Sequence, residues 1–342
     1  MNFLIASCFT NLYKVCWIKN RVLFFLLITI FCSCKKNGTS LIPTDTVTKI
    51  QPVQVIFPKP SYNPGGLDTT KLFNTIPVVN NLARTDLYEI SGVAASRTNP
   101  GMLYIHNDSG NPNEIYITNG NGDNIGTLTI TPVGNRDWED IAVGPGPIPG
   151  ISYVYIGEIG DNDSKYSSVF VYRFPEPNLS EKTIPYIANI DQIDIIQLKY
   201  PDGPRNAETL MVDPQTKDIF IASKSSNLSN IYIAKYPQSL TTTTIMTPVV
   251  QLNFNKATAG DISANGTEIL LRSNELIWYW KLPANTSISQ GLLSQPQVAP
   301  YFRNEPQGEG ICFAADGSGY YTDTEIRGYT GKLATISFYK RN

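Results

Sequence analysis

Five segments of the chain share one order of signals: an acidic residue, a short apolar run, a turn, then further β-rich runs. The leading acids are Glu89 in "YEISGVAAS", Glu139-Asp140 in "WEDIAVG", Glu208 in "NAETLMVD", Asp261 in "AGDISANG" and Glu309 in "GEGICFAADG". With Glu139 taken for the second unit, they lie 50, 69, 53 and 48 residues apart. Each unit continues with a second run, such as "MLYIHNDSG" or "DIFIASKSS", and a third, such as "NEIYITNG" or "IWYWKLP". The first four units add a weaker fourth run: "GTLTITP", "IDIIQLKY", "TPVVQLNF" and "QVAPYF". A period near 50 with four strands per unit is the signature of propeller blades.

The pattern predicts an all-β fold, a β-propeller of four-stranded blades. Five blades are counted, with six as the alternative if part of the N-terminal stretch folds in. The last unit stops at Asn342 after three runs, and its outer strand is expected from "NTIPVVNN" (74–81). Such a closure would remove an open sheet edge. The excess of the 69-residue unit is assigned to the loops "GPGPIPG" and "EPNLSEKTIPYIAN". A β-sandwich also has short strands and frequent turns. It gives no reason to start every unit with an acid. The composition agrees with short strands and tight turns, with 25 Gly, 24 Pro and 19 Tyr. A formal net charge of -2 supplies no basic face for nucleic acid.

Residues 1–33 read as an export signal. Lys14, Lys19 and Arg21 precede the apolar run "VLFFLLITIFC" (22–32), which is too short to span a bilayer. "FCSCKK" then resembles a bacterial lipoprotein processing site, with Ser33 before the cut and Cys34 lipidated. The expectation is an exported protein anchored by lipid to a bacterial membrane, the outer membrane by preference. After cleavage, 24 basic residues face 29 acidic ones. With Cys34 carrying lipid, Cys312 is the only thiol left, which excludes an intramolecular disulfide. Residues 34–75, rich in Pro, Thr, Asn and Gly, read as the lipidated Cys and a flexible tether. Residues 76–342 read as the propeller domain.

In a propeller the first strands of all blades run in one direction around the channel. Glu89, Glu139, Asp140, Glu208 and Glu309 are therefore expected to ring one mouth. The second strand of each blade returns antiparallel to the same face. It brings Asp108, Asp161, Lys224, Arg272 and Asp323 with Glu325. Arg136 and Arg205 precede two of the first strands. A ring of carboxylates repels itself unless cations, backbone N–H groups or a bound ion stabilise it. Two readings stay open: each acid fastens its neighbouring blade, or the ring holds a metal or ligand. Oxygen donors without histidine suit Ca2+ rather than zinc. Asp137 is expected in an exposed turn, where its charge costs little. His106, the single histidine, could form a triad with Ser109 and Asp108, but near-adjacent residues rarely converge so. Trp138 is expected between blades, and Cys312 buried and inert.

The stretches "EISGVAASRTNPGMLYIHNDSG", "RDWEDIAVGPG", "YVYIGEIGDN" and "YPDGPRNAETLMVDPQTKDIFIASK" span residues 89–224. They resemble a group of exported bacterial propeller proteins of uncharacterised function. More loosely, they resemble the phytase-like and SdiA-regulated propeller families. The resemblance implies Glu89, Glu139, Asp140, Glu208 and Glu309 at the channel mouth. Asp261-Ile262 departs from the Glu-Gly form that the group favours. Fold alone carries no activity.

Two functions follow. One is a tethered binding propeller that presents its acidic mouth to a small ligand or protein partner. Arg136, Arg205, Lys224, Arg272, Asp108 and Asp161 are the candidate ligand contacts. The alternative is a Ca2+-dependent hydrolase of phosphate esters or lactones. There Glu89, Glu139, Asp140 and Glu208 would hold the metal that acidifies a water. The cations would grip an anionic group. No G-x-S-x-G nucleophile motif occurs.

Overall fold

The computed structural model describes residues 55–301 and 306–342. The export signal, Cys34 and the first part of the tether lie outside the described residues. The rest is a five-bladed β-propeller. Blade 1 comprises Ile90–Ala95, Met102–Asn107, Glu114–Asn119 and Gly126–Ile130. Blade 2 comprises Trp138–Pro145, Ser152–Glu158, Val169–Pro175 and Asp194–Lys199. Blade 3 comprises Ala207–Val212, Ile219–Ser223, Leu228–Ala234 and Thr247–Asn255. Blade 4 comprises Ala257–Ile262, Glu268–Ser273, Ile277–Lys281 and Gln297–Ala299. Blade 5 comprises Ile311–Phe313, Gly319–Asp323 and Thr335–Lys340, and takes Val78–Asn81 as its outer strand.

Burial explains why the inner runs stand out in sequence and the outer ones do not. Ala207–Val212 is buried at every position, because an inner strand is covered on both faces. Asp194–Lys199, at the outer edge, is buried at alternate positions only. Each inner strand lies beside the inner strands of its two neighbours, which closes the ring. Apolar clusters fill the blade interfaces. Trp138 and Phe174 pack with Leu128 between blades 1 and 2. Phe220 packs with Trp278 and Trp280 between blades 3 and 4, where Phe254 stacks on Trp278 at 4.3 Å. Cys312 is buried between blades 5 and 1, as expected.

The outer strand of blade 5 comes from the N-terminal side, in the register Val78↔Phe338 to Asn81↔Thr335. Two expectations need correction. The end of the stretch read as a tether is docked on the domain. Phe57 meets Tyr232 edge-on at 5.3 Å, and Asn253 Nδ2 donates to Tyr62 O at 2.7 Å. Thr69 bridges to Val298, and Phe73 fills the gap between Tyr279 and Tyr320. Spaced aromatics anchor a Pro-rich segment that has no periodicity to announce it. Likewise, part of the long second-unit loop is a strand. Tyr186–Ile190 adds in parallel to Gly126–Ile130, and Thr244–Ile245 adds in parallel to Asp194–Lys199. Among the described residues, no helix is long and apolar enough to cross a membrane.

Candidate functional site at the channel mouth

A β-bulge sets the geometry of the mouth. In blade 2 the pairing steps from Trp138↔Glu158 to Asp140↔Gly157 and leaves Glu139 as the extra residue. In blade 3 it steps from Ala207↔Ser223 to Thr209↔Ala222 and leaves Glu208. The same step leaves Ser91 in blade 1 and Thr258 in blade 4. Glu309 in blade 5 holds the same offset from Ile311 that Glu139 holds from Ile141. A bulged residue has no partner opposite and its side chain is re-aimed. The true ring is therefore Ser91, Glu139, Glu208, Thr258 and Glu309. Its two hydroxyls tie blades together: Ser91 Oγ donates to Glu139 O at 2.7 Å, and Thr258 Oγ1 to Glu309 O at 3.1 Å.

This register corrects the single ring expected from sequence. Glu89 stands outside it at the rim, where it pairs with the exposed Arg327 and accepts from Asn111 Nδ2 at 3.0 Å. Asp140 and Asp261 lie deeper and act as fasteners between blades. Asp140 accepts from the N–H groups of Ile141 and Leu210. Asp261 accepts from those of Ile262 and Phe313.

Two groups of carboxylates face the mouth. In the first, Asp108, Asp137 and Glu139 bring one oxygen each to within 4.8 Å of one another. Asn135 holds their loops together. Its Nδ2 donates to Asn107 O at 3.1 Å and to Asp108 O at 2.9 Å, while Oδ1 accepts from Trp138 N. Glu158 fixes the preceding turn by accepting from the N–H groups of Arg136 and Asp137. Gly160 leaves room, since a Cβ there would collide with the carboxylates of Asp137 and Glu139. Asp137 is thus half-buried in the cluster, not an exposed turn residue. Burial raises the pKa values of all three, and for Glu139 the charges of Glu208, Asp108 and Asp137 add to it. None of the three has an ion-pair partner among the described residues.

In the second group, Lys224 pairs with Glu208 and stands 4.0 Å from Glu309 Oε2. Gln307 Nε2 donates to Glu309 and, at 2.6 Å, to Glu325 Oε2. Burial opposes the charge of Lys224, but Glu309 and Glu208 hold its pKa above the ordinary lysine range. Burial pushes Glu208 up to about 8 against the pull of Lys224, and Glu325 up to about 7. A cleft of about 480 Å³ adjoins this group, lined by Arg205, Asn206, Lys224 and Lys256 among others.

The remaining expected contacts are engaged elsewhere. Arg136 pairs with Glu158 at 3.2 Å and lies over Tyr166. Arg205 borders the cleft but pairs with Asp202 at 2.9 Å. Arg272 is buried and donates to Gly310 O at 3.3 Å. Asp161 closes a turn by accepting from the N–H groups of Lys165 and Tyr166. His106 is fully buried, edge-on to Trp138, with Nδ1 facing Asn107 O. Its pKa is lowered to about 4 by burial, so it is neutral at physiological pH. Glu325 stands at the mouth where the sequence places it, whereas Asp137 and Gln307 are site residues outside the expected metal and ligand sets. The "RDWED" spacing, with one acid two residues before another on an incipient strand, was the available signal for Asp137.

Fold and site together define a five-bladed β-propeller whose channel opens at a carboxylate-lined mouth. No protein-family model matches the chain, and no curated protein matches it in sequence.

The raised carboxylates make a pH prediction. Glu208 titrates near 8 when folded and near 4.5 when not, so over that range the folded state holds the extra proton. Stability then falls as pH rises. His106 acts oppositely below its unfolded value of 6.5, where the unfolded chain binds the extra proton. The clear window therefore runs from about 6.5 to about 8. In chelator, the melting temperature is expected to fall across it, and Glu208→Gln to flatten the fall. A melting temperature that climbs over this window would contradict the buried-carboxylate account.

Proposed function

We propose that this chain is an exported, lipid-tethered binding propeller of the bacterial group it resembles. Its mouth binds a divalent cation, calcium by donor chemistry, and through it a ligand in the adjoining cleft. The observation that carries this reading is the convergence of Asp108, Asp137 and Glu139 with no ion-pair partner among the described residues, and with Glu139 only 3% exposed. A buried carboxylate cluster of this kind is costly alone and is relieved by a bound cation. Three carboxylates leave room for the waters and carbonyls that complete a calcium shell. Asn107 Oδ1, at the same strand end as Asp108, is buried without a hydrogen-bond partner among the described residues. Lys224, Arg205 and Lys256 favour an anionic ligand in the cleft.

Thermal melting with calcium and with chelator tests the reading. At a hundredfold excess over Kd, binding adds about 2.7 kcal/mol, which raises the melting temperature by roughly 5 °C. Asp137→Asn and Glu139→Gln are expected to abolish that rise. Both should melt no lower than the parent in chelator, because each removes a repelled charge. A wild-type melting temperature indifferent to calcium and magnesium would end the metal proposal. Turnover of phosphate monoesters or lactones, lost in Glu208→Ala, would replace binding by catalysis. Retention of Cys34→Ser in the membrane fraction would remove the tether.

A further inference from the structure

The end of the channel opposite the mouth carries chemistry that the carboxylates do not use. Inner strands start at the mouth, so the turn after Ala95 lies on the far face. There Arg97 stands between two spaces. One is the narrow lower end of the channel, shared with Asp261, Val143 and Phe313. The other is a cavity of about 290 Å³ between blades 1 and 5. Its walls include Pro100, Met102, Leu103 and Tyr321, with Asp316 at one edge.

Arg97 is half-buried, and burial lowers its pKa against the pull of Asp261 and Glu176. Neither acid is its partner. Asp261 gives Oδ1 to Ile262 N–H and Oδ2 to Phe313 N–H. Glu176 accepts from Ser96, Thr98 and Tyr104. Among the described residues, no hydrogen bond or ion pair reaches the Arg97 guanidinium. Five donors taken partly out of water without an acceptor are costly. The cavity beside them is close to the lower size of small-molecule sites.

We propose that this cavity is a second binding site, for a small monocarboxylate with an apolar body. The guanidinium takes the carboxylate in a two-pronged ion pair. Met102, Leu103 and Tyr321 cover the apolar part. The site disfavours dianions: Arg97 is the one cation among its described lining residues, and Asp316 and Asp261 both oppose added negative charge. Phosphate and phosphate monoesters are thereby excluded, so the site is distinct in chemistry from the cleft at the mouth.

Calorimetric titration of the purified protein tests this with phenylacetate and hexanoate as probes. Phenylacetamide and inorganic phosphate serve as controls. At least one acid is expected to bind, and both controls at least tenfold more weakly. Arg97→Met, which keeps the apolar stem of the side chain, should weaken the acid at least tenfold while the melting temperature holds. Arg97→Lys should recover part of the loss. Chelator and Glu139→Gln should leave acid binding unchanged, which separates this site from the mouth. The proposal is overturned if neither acid binds up to about 10 mM, where millimolar affinity would be evident. It is equally overturned if Arg97→Met binds as the parent does, or if phosphate displaces the bound acid at comparable concentration.

Discussion

A chain that begins at Leu82 is expected to lose cooperative folding, whereas one that begins at Val55 melts as the parent does. The reason is ring closure. Val78–Asn81 is the outer strand of blade 5, and without it Thr335–Lys340 becomes an open edge. The same deletion removes Phe73, which is 1% exposed and fills the gap between Tyr279 and Tyr320. Arg341 lies over the Phe73 ring and pairs with Glu268 at 2.9 Å, so blades 4 and 5 are joined through this aromatic. Phe73→Ala alone should cost about 3–5 kcal/mol. That is a large share of the roughly 5–15 kcal/mol that holds a domain folded. The corresponding fall in melting temperature is on the order of 10 °C. Differential scanning calorimetry of the three chains decides the matter. A sharp transition for the Leu82 chain within a few degrees of the parent would mean that three strands of blade 5 close the ring without the N-terminal one.

That closure was legible because a three-strand last unit and a lone strand-like run before the first are complementary deficits. The blades were legible for a related reason: inner strands covered on both faces read as unbroken apolar runs. Two things were not. A Pro-rich segment anchored by Phe57, Tyr62 and Phe73 shows no period, since each aromatic fills its own gap at the blade edges. The level of each acid was hidden as well. One bulged residue shifts every later side chain by a step, and sequence spacing does not reveal where the bulge falls. A single ring of acids therefore merges the rim residue Glu89, the bulge residues Glu139 and Glu208, Glu309 at the matching offset, and the deeper Asp140 and Asp261. It also passes over Ser91 and Thr258, which occupy bulge positions without a charge.

The sharpest consequence of that register concerns two adjacent acids. Asp140→Ala is expected to lower stability strongly, by on the order of 3–5 kcal/mol, and by the same amount with and without calcium. Asp140 is fully buried. Its Oδ2 accepts from Leu210 N–H at 2.8 Å in blade 3 and from Gly260 N–H at 3.4 Å in blade 4. Oδ1 accepts from Ile141 N–H at 2.9 Å. One carboxylate thus spans the inner strands of three blades. Burial drives its pKa up, and these three N–H groups oppose that by favouring the charged form. Removing it orphans buried donors, each worth about 1–3 kcal/mol. Asp140→Asn keeps the size but turns an amide N–H toward one of those donors, so it should recover only part of the loss. Glu139, one residue earlier, should behave oppositely: Glu139→Gln keeps or raises stability in chelator and loses the response to calcium. Paired melts of the two variants, with and without calcium, separate the roles. An Asp140→Ala protein that melts like the parent but ignores calcium would return Asp140 to the metal set, and the bulge would no longer be what divides fastening from binding.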